Sequence, residues 1–272
     1  MKHNELLSGL QALNLPFPIE ERHIERLSRL DELLAQRAVP RGLMGEHEIG
    51  RMLPRHILEC AGLLRWIGVP ADFVDVGSGA GLPGLVLGCL DVGSIVLLEA
   101  QARRAAFLRE AVHELGLPAT VMQARAEDVG RGVGRESFAY ATSRALARPT
   151  VALELLLPLV RPGGAAVLLV GPSDFKEWTP CDSRQVHRDA PVAGGDDFSS
   201  ATEAESSLDS RTNRVDKLAV VSHRLGGADP QLAQFAVQGV EESRWVMFVP
   251  KVRPTPDRYP RRAGSIRRRP LG

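Results

Sequence analysis

The sequence predicts an α/β fold: a mostly parallel sheet wound with helices on both faces and preceded by a helical cap. Three observations carry that prediction. From Asp72 onward, short apolar runs, "DFVDV", "SIVLLEA", "ATVMQ", "FAYATS" and "AAVLLVG", alternate with helical stretches such as 102–115 and 149–159. A parallel sheet with crossover helices leaves that pattern in a sequence. Ahead of it, apolar residues recur at helical spacing from Asn4 to Leu15, from Ile19 to Gln36 and from Glu46 to Trp66, as on the buried stripe of amphipathic helices. The bend "FVDVGSGAGLPG" over 73–84 follows the first apolar run, where the first strand of such a sheet hands over to its first helix and ligands bind.

Taken in order, residues 1–68 form the cap, with Leu6, Leu7, Leu10 and Leu13 on one helix and Ile24, Leu27, Leu30 and Leu34 on the next. Between the second and third helices, "RAVPRGLMG" carries Pro40, Gly42 and Gly45, which break periodicity and predict a loop able to close over a ligand. The sheet domain spans 69–171 and 216–250. Its helix after Thr150 is expected to end in "RPGG", 161–164, where glycine supplies a left-handed exit. Residues 172–215 are rich in Ser, Asp, Gly and Ala and poor in aliphatics, too little apolar surface to offset ordering entropy, so a disordered insertion is expected. "LAVVSHRL" and "SRWVMFVPK" then read as the last two strands, and 251–272 as a basic tail.

With 272 residues, 44% apolar and 25% charged, the chain has an ordinary soluble composition, enough for a sizeable core. Three scattered cysteines, Cys60, Cys89 and Cys181, suit neither a disulfide framework nor a zinc site, which points to a reducing, cytoplasmic setting and no metal. Pro180-Cys181 resembles a methyltransferase nucleophile dipeptide, but it falls in the insertion and is set aside. Neither a secretion signal nor a long apolar span is present, so no membrane partner is expected. Net charge is +1, yet from Lys251 onward eight Lys/Arg face one acid, Asp257. That end is offered to a polyanion or is a solvated tail.

Gly77, Gly79 and Gly81 let the main chain turn sharply and let a ligand approach with no Cβ in the way. Residues 79–84 formally match the G-x-G-x-x-G of dinucleotide sites. Register argues against that reading, because the first glycine to leave the strand is Gly77 and Leu82 then stands where the third dinucleotide glycine belongs. Asp75 borders the bend and would favour a cationic ligand, or else ties down backbone amides. Glu99, ending the second run, can accept both hydroxyls of a ribose. Ala126-Glu127, after the third, would sit beside an adenine ring. Two acids at successive strand ends favour S-adenosylmethionine over a dinucleotide.

"RHILEC", "VDVGSGAGLPG", "RAED", "TSRA" and the tail "KVRPTPDRYPRRAGSIRRRPL" together resemble the small-subunit ribosomal RNA guanine-N7 methyltransferase family, also called glucose-inhibited division protein B. The resemblance implies a Rossmann-like class I methyltransferase fold with a mostly parallel seven-stranded sheet. It implies methyl transfer from S-adenosylmethionine to one guanine of 16S ribosomal RNA, free or in the small-subunit particle, by a cytoplasmic monomer. By matching position, Gly77, Leu82, Ala126, Glu127 and Arg144 look like cofactor-binding residues, with Glu99 in the ribose position and Gly79 beside it in the bend. Arg144 is also the candidate catalytic residue, its fork of donors steering the guanine or the cofactor carboxylate. His56 on the third cap helix reads as packing or capping, and Arg55 as a partner of RNA phosphate or of a nearby acid.

Guanine N7 carries an in-plane lone pair that is unprotonated at neutral pH, so alignment can supply most of the catalysis, about 7–11 kcal/mol at its best, without a general base. The tail arginines, Arg253, Arg258, Arg261, Arg262, Arg267, Arg268 and Arg269, form an RNA-binding strip broken by prolines that exclude helix. Two segments depart from the family: Val170 stands where relatives carry lysine, and "RGLMG" replaces "N-L-T". Rival readings are a catalytically impaired binder of cofactor and RNA and, on the formal glycine match, a dinucleotide-binding oxidoreductase.

Overall fold

Seven strands form one sheet in the order β3-β2-β1-β4-β5-β7-β6, in a computed structural model that describes residues 2–171, 212–241 and 244–271. The strands are β1 (Phe73–Val76), β2 (Ile95–Leu98), β3 (Ala119–Met122), β4 (Phe138–Arg144), β5 (Val160–Val170), β6 (Gln231–Phe235) and β7 (Arg244–Pro250). The first five run parallel. β7 enters antiparallel, Ala165 opposite Pro250, and β6 pairs antiparallel to it. This is the mostly parallel, Rossmann-like seven-stranded sheet expected.

Both faces of the sheet are apolar, and each has its own helices. Along β5, Ala165, Val167 and Leu169 join one cluster while Ala166, Leu168 and Val170 join the other, the alternation that a strand imposes on its side chains. On the first face lie α1 (Lys2–Ala12), α2 (Glu21–Leu33), a helical run over 46–65 that includes α3 (Glu59–Ala61), α4 (Gly84–Cys89) and α5 (Ala102–Glu114). The cap therefore shares a core with the sheet: Leu10, Leu27, Leu30 and Leu34 are fully buried in the cluster that holds Phe73 and Val167. Fully burying a leucine is worth about 2 kcal/mol, so the N-terminal helices are held firmly over this face. On the second face lie α6 (Ala126–Val129), α7 (Pro149–Leu156), α8 (Thr212–Arg224) and the C-terminal segment, whose Tyr259 and Leu271 are buried there.

Three expectations are corrected. "LAVVSHRL" is the last part of α8 and not a strand. The adjacent valines suggest β structure, but Leu218, Val221, Ser222 and Leu225 are the buried residues while Val220 is half exposed, a helical spacing; the missing strand is β6. "RPGG" lies inside β5 after the helix has closed at Leu159, and Gly163 takes its positive φ of 88° at the irregular start of that strand. The tail, expected without helix, contains α9 (Ala263–Arg268), which fits between Pro260 and Pro270. Of the insertion expected over 172–215, residues 172–211, Cys181 included, lie outside the described residues, and α8 already begins at Thr212.

Candidate active site

The bend after β1 is held in shape from both sides. Gly77, Gly79 and Gly81 all have positive φ, 70°, 58° and 94°, where L side chains are strained. A Cβ at Gly77 would also stand 2.4 Å from a Leu146 methyl. Glu99, buried at the end of β2, accepts from Gly79 N at 2.9 Å through Oε2 and from Gln101 N at 2.8 Å through Oε1. One carboxylate thereby ties the bend to the entrance of α5. Asp75 does the corresponding work inside: its Oδ2 accepts from Gly84 N at 3.0 Å, at the start of α4. Burial pushes the Asp75 carboxyl up to about 7, against the lowering by that amide. Of its two expected roles, tying down the backbone is the one seen, because Asp75 is sealed beneath the bend with 1% exposure.

A crevice of about 310 Å³ opens at the carboxyl ends of the parallel strands, lined by Val76 and Gly77 after β1, Leu98 to Gln101 after β2 and Ala124 to Glu127 after β3. Ala145, Leu146 and Leu155 close its far wall. Thus Gly77, Glu99, Ala126 and Glu127, singled out from sequence, meet in one place. Glu127 is 6% exposed, and its Oε1 is buried with no hydrogen-bond partner, the Arg125 guanidinium standing 3.7 Å away. An orphaned buried acceptor of this kind is costly unless a ligand donates to it. Gly79 contributes its N–H to Glu99, and Leu82 is buried in the turn that follows. Arg104, Gln101 and Arg125 also border the crevice or its acids; Arg125 opens "RAED" but was not singled out, and no motif flags Gln101 or Arg104, whose place follows from helix entry. A wider groove of about 540 Å³ between α5 and the start of β3 lies at the amino end of its strand, away from where ligands bind in such sheets.

Arg144 does not line the crevice. At the end of β4 its guanidinium turns to the cap, 3.6 Å from Glu59 Oε2 and 3.9 Å from Cys60 Sγ. Arg244 reaches the same Glu59 oxygen at 3.7 Å, and His56 Nε2 sits 2.8 Å from Glu48 Oε2, with Arg55 3.8 Å from that oxygen. This places a charged, mostly buried group under the cap on one flank of the bend. Burial, reinforced by Arg144, pushes the His56 imidazole down to about 4, so it is neutral at pH 7. Burial raises the Glu59 carboxyl above its ordinary range, against Arg144 and Arg244. Burial likewise holds Cys60 as a thiol, pushed up to about 12, which removes it as a nucleophile. Glu48, Glu59 and Arg244 were not foreseen as site residues, although Glu59 lies within "RHILEC"; they become neighbours only when the cap folds onto the sheet.

The tail arginines divide into two kinds. Arg258, Arg262, Arg267, Arg268 and Arg269 are exposed, Arg258 lying over the Tyr259 ring at 5.1 Å. Arg253 is exposed but donates to His223 O at 2.6 Å. Arg261 is engaged with the buried Glu154, 2.6 Å from Nη2 to Oε2. Val170, the departure at the end of β5, is 7% exposed and packs in the second-face cluster.

Comparison with known proteins points to one family. The family described as GidB, rRNA small subunit methyltransferase G, matches residues 23–190. The chain is 38% identical over 199 residues to a protein of Frankia casuarinae named ribosomal RNA small subunit methyltransferase G, covering 66% of this chain and 75% of that one. Proteins of the same name from Salinispora arenicola and Mycobacterium leprae are 47% and 41% identical, over 52% and 55% of this chain. The chain spans 61% of the length of each of these two relatives.

Proposed function

The chain belongs to the rRNA small subunit methyltransferase G family, and from that premise we propose that it methylates the N7 atom of one guanine in 16S ribosomal RNA, using S-adenosylmethionine. The observation that carries this reading is the convergence of Gly77, Glu99, Ala126 and Glu127 on one crevice at the ends of β1, β2 and β3. These residues fit the cofactor. Each Glu99 oxygen takes one backbone N–H and keeps a further lone pair for a ribose hydroxyl. Glu127 Oε1, buried and without a hydrogen bond, offers an acceptor to the adenine amino group. A second acid of this kind favours the nucleoside of S-adenosylmethionine over a dinucleotide, whose pyrophosphate two carboxylates would repel. When bound, S-adenosylmethionine supplies an electrophilic methyl group on a cationic sulfur.

The chain supplies position and no general base. The neutral His56 is engaged with Glu48 and Cys60 stays a thiol, and neither is needed because guanine N7 already presents a lone pair. Arg144, whose guanidinium faces Glu59 and Cys60 under the cap, keeps in this reading the role of steering the incoming base with its fixed fork of donors. The exposed tail arginines provide phosphate contacts. Among the described residues no helix is long and apolar enough to cross a membrane, and none of their His, Cys, Asp and Glu form a group that could hold a metal ion. The reading is of a cytoplasmic monomer that meets its RNA free or in the small subunit.

Tritiated S-adenosylmethionine supplied with undermethylated small subunits tests it. Label mapped to N7 of a single guanine is the expected result. Cofactor uptake without label would leave only a binder, and uptake of nicotinamide nucleotides instead would overturn the assignment of the crevice.

A further inference from the structure

The C-terminal segment is fastened to the helices that wall the cofactor crevice. Glu154 on α7 has no exposure at all, and its neighbour Leu155 lines the crevice. Three donors of Arg261 converge on Glu154: the backbone N–H at 3.0 Å and Nε at 2.7 Å to Oε1, and Nη2 at 2.6 Å to Oε2. The remaining arm, Nη1, donates to Arg269 O at 2.8 Å and so closes a loop around α9. From the other side Arg135 donates to Thr255 O and Tyr259 O. The completely buried Lys251 donates to Leu157 O at 2.6 Å and Thr255 Oγ1 at 2.5 Å. Pro260 packs on Gly130, directly after the α6 that carries Glu127: a Cβ there would come within 3.2 Å of the proline ring. Tyr259, Ile266 and Leu271 are buried, while Arg258, Arg262 and Arg267 to Arg269 face solvent.

We infer that Glu154, Arg135 and Arg261 are positioning residues that hold the C-terminal segment folded against α6 and α7, so that RNA phosphates meet Arg258, Arg262, Arg267, Arg268 and Arg269 as a preset surface. The inference rests on the RNA reading above. It reverses the part expected of Arg261, whose charge is spent on a buried carboxylate. It also ties the surface to the crevice: the helices that present Glu127 and Leu155 are the ones that seat the arginines, so the target base and the phosphates around it are gripped from one rigid frame.

Simple charge counting and positioning predict opposite signs, which makes the test clean. A fluorescent stem-loop of small-subunit rRNA is titrated with the full chain at several salt concentrations. If Arg261 merely contacts phosphate, Arg261→Lys keeps the charge and leaves binding unchanged, and Glu154→Gln, which deletes a negative charge, tightens it. Positioning predicts that each weakens binding tenfold or more. It also predicts a log–log salt slope reduced by more than the ~0.7–0.9 of one lost contact, and a double variant no worse than either single. Limited trypsin digestion without RNA adds a second readout: cleavage after Arg258 to Arg268 is slow in the wild type and fast in Arg261→Lys. Should Glu154→Gln not fold, Arg261→Lys carries the test, because its side chain is partly exposed. Wild-type binding retained in both variants, with the tail still resistant to trypsin, would overturn the positioning roles alone; a wild type that binds no RNA would overturn the functional reading and the surface with it.

Discussion

The glycine bend over 77–84 and the C-terminal segment over 251–271 are each rich in a residue type that announces a ligand, glycine in one and arginine in the other. They differ in where their conformation comes from. In the bend, three alternate residues occupy positive φ, a demand that each glycine meets by itself, and the ties that fix it come from Asp75 and Glu99, at most 20 positions from the amides they hold. In the tail, the ties on Arg261 and Tyr259 come from residues more than 100 positions upstream: Glu154 is 107 positions from Arg261, and Arg135 is 124 from Tyr259. Local backbone chemistry can be read from one stretch of letters, whereas the role of a charge depends on which partner folding brings to it.

The largest expected effect breaks the bend. Gly81→Val puts a β-branched side chain at φ 94°, with its Cβ 2.2 Å from Leu85 Cδ1 and 3.2 Å from Leu108 Cδ2. Backbone strain of about 1–3 kcal/mol adds to overpacking of similar size. Calorimetry should show S-adenosylmethionine affinity lowered at least about a hundredfold, with the thermal midpoint depressed. Near-normal affinity would mean that the bend tolerates ordinary residues and that its glycines are not what shapes the crevice.

A smaller effect sharpens the comparison by separating scaffold from ligand contact within the bend. The folded Asp75 carboxyl titrates near 7, above its ordinary 3.8, because burial penalises its charge. The folded state therefore holds a proton that the unfolded chain releases. Its contribution is fully present below pH 4 and is lost as pH rises through 7, on the order of 4 kcal/mol in all. Asp75→Asn keeps an acceptor for Gly84 N and removes the titration. Urea unfolding should then show the variant gaining on the wild type by roughly that amount between pH 4 and pH 8. An unchanged pH profile together with lost cofactor affinity would instead place Asp75 among the ligand contacts.

The same contrast explains what was legible beforehand. β1 to β5, α5 and the crevice residues Gly77, Glu99, Ala126 and Glu127 follow from period and punctuation, because each strand end delivers its next residues to one edge of the sheet. α8 was misread because Val220 and Val221 stand together, and only tertiary packing decides which of the two is buried. Arg144 was placed correctly at the end of β4, but its direction, toward Glu59 and not into the crevice, depends on a cap helix 84 or so residues upstream. Arg261 was counted with its neighbours because a run of arginines shows charge and no partner, and the buried Glu154 that claims it sits in an apolar helix, "PTVALELL". A lone acid in such a helix is itself a signal, since a buried carboxyl must either find a cation or keep its proton.

The smallest effect tests the exposed half of the tail. Arg262 follows Arg261 directly yet faces solvent, so Arg262→Gln should leave folding stability within about 0.5 kcal/mol of the wild type. If it meets one phosphate, its loss should lower the salt slope of RNA binding by ~0.7–0.9 and weaken affinity modestly and uniformly across RNA sequences. Cofactor affinity should not move, because no crevice-lining residue is touched. Set beside Arg261→Lys, which retains the charge, Arg262→Gln removes one and should nonetheless do less harm. If the order were reversed, with the charge-conserving change silent and the charge-removing change severe, number of charges and not their seating would govern RNA binding, and the distinction between the two neighbouring arginines would disappear.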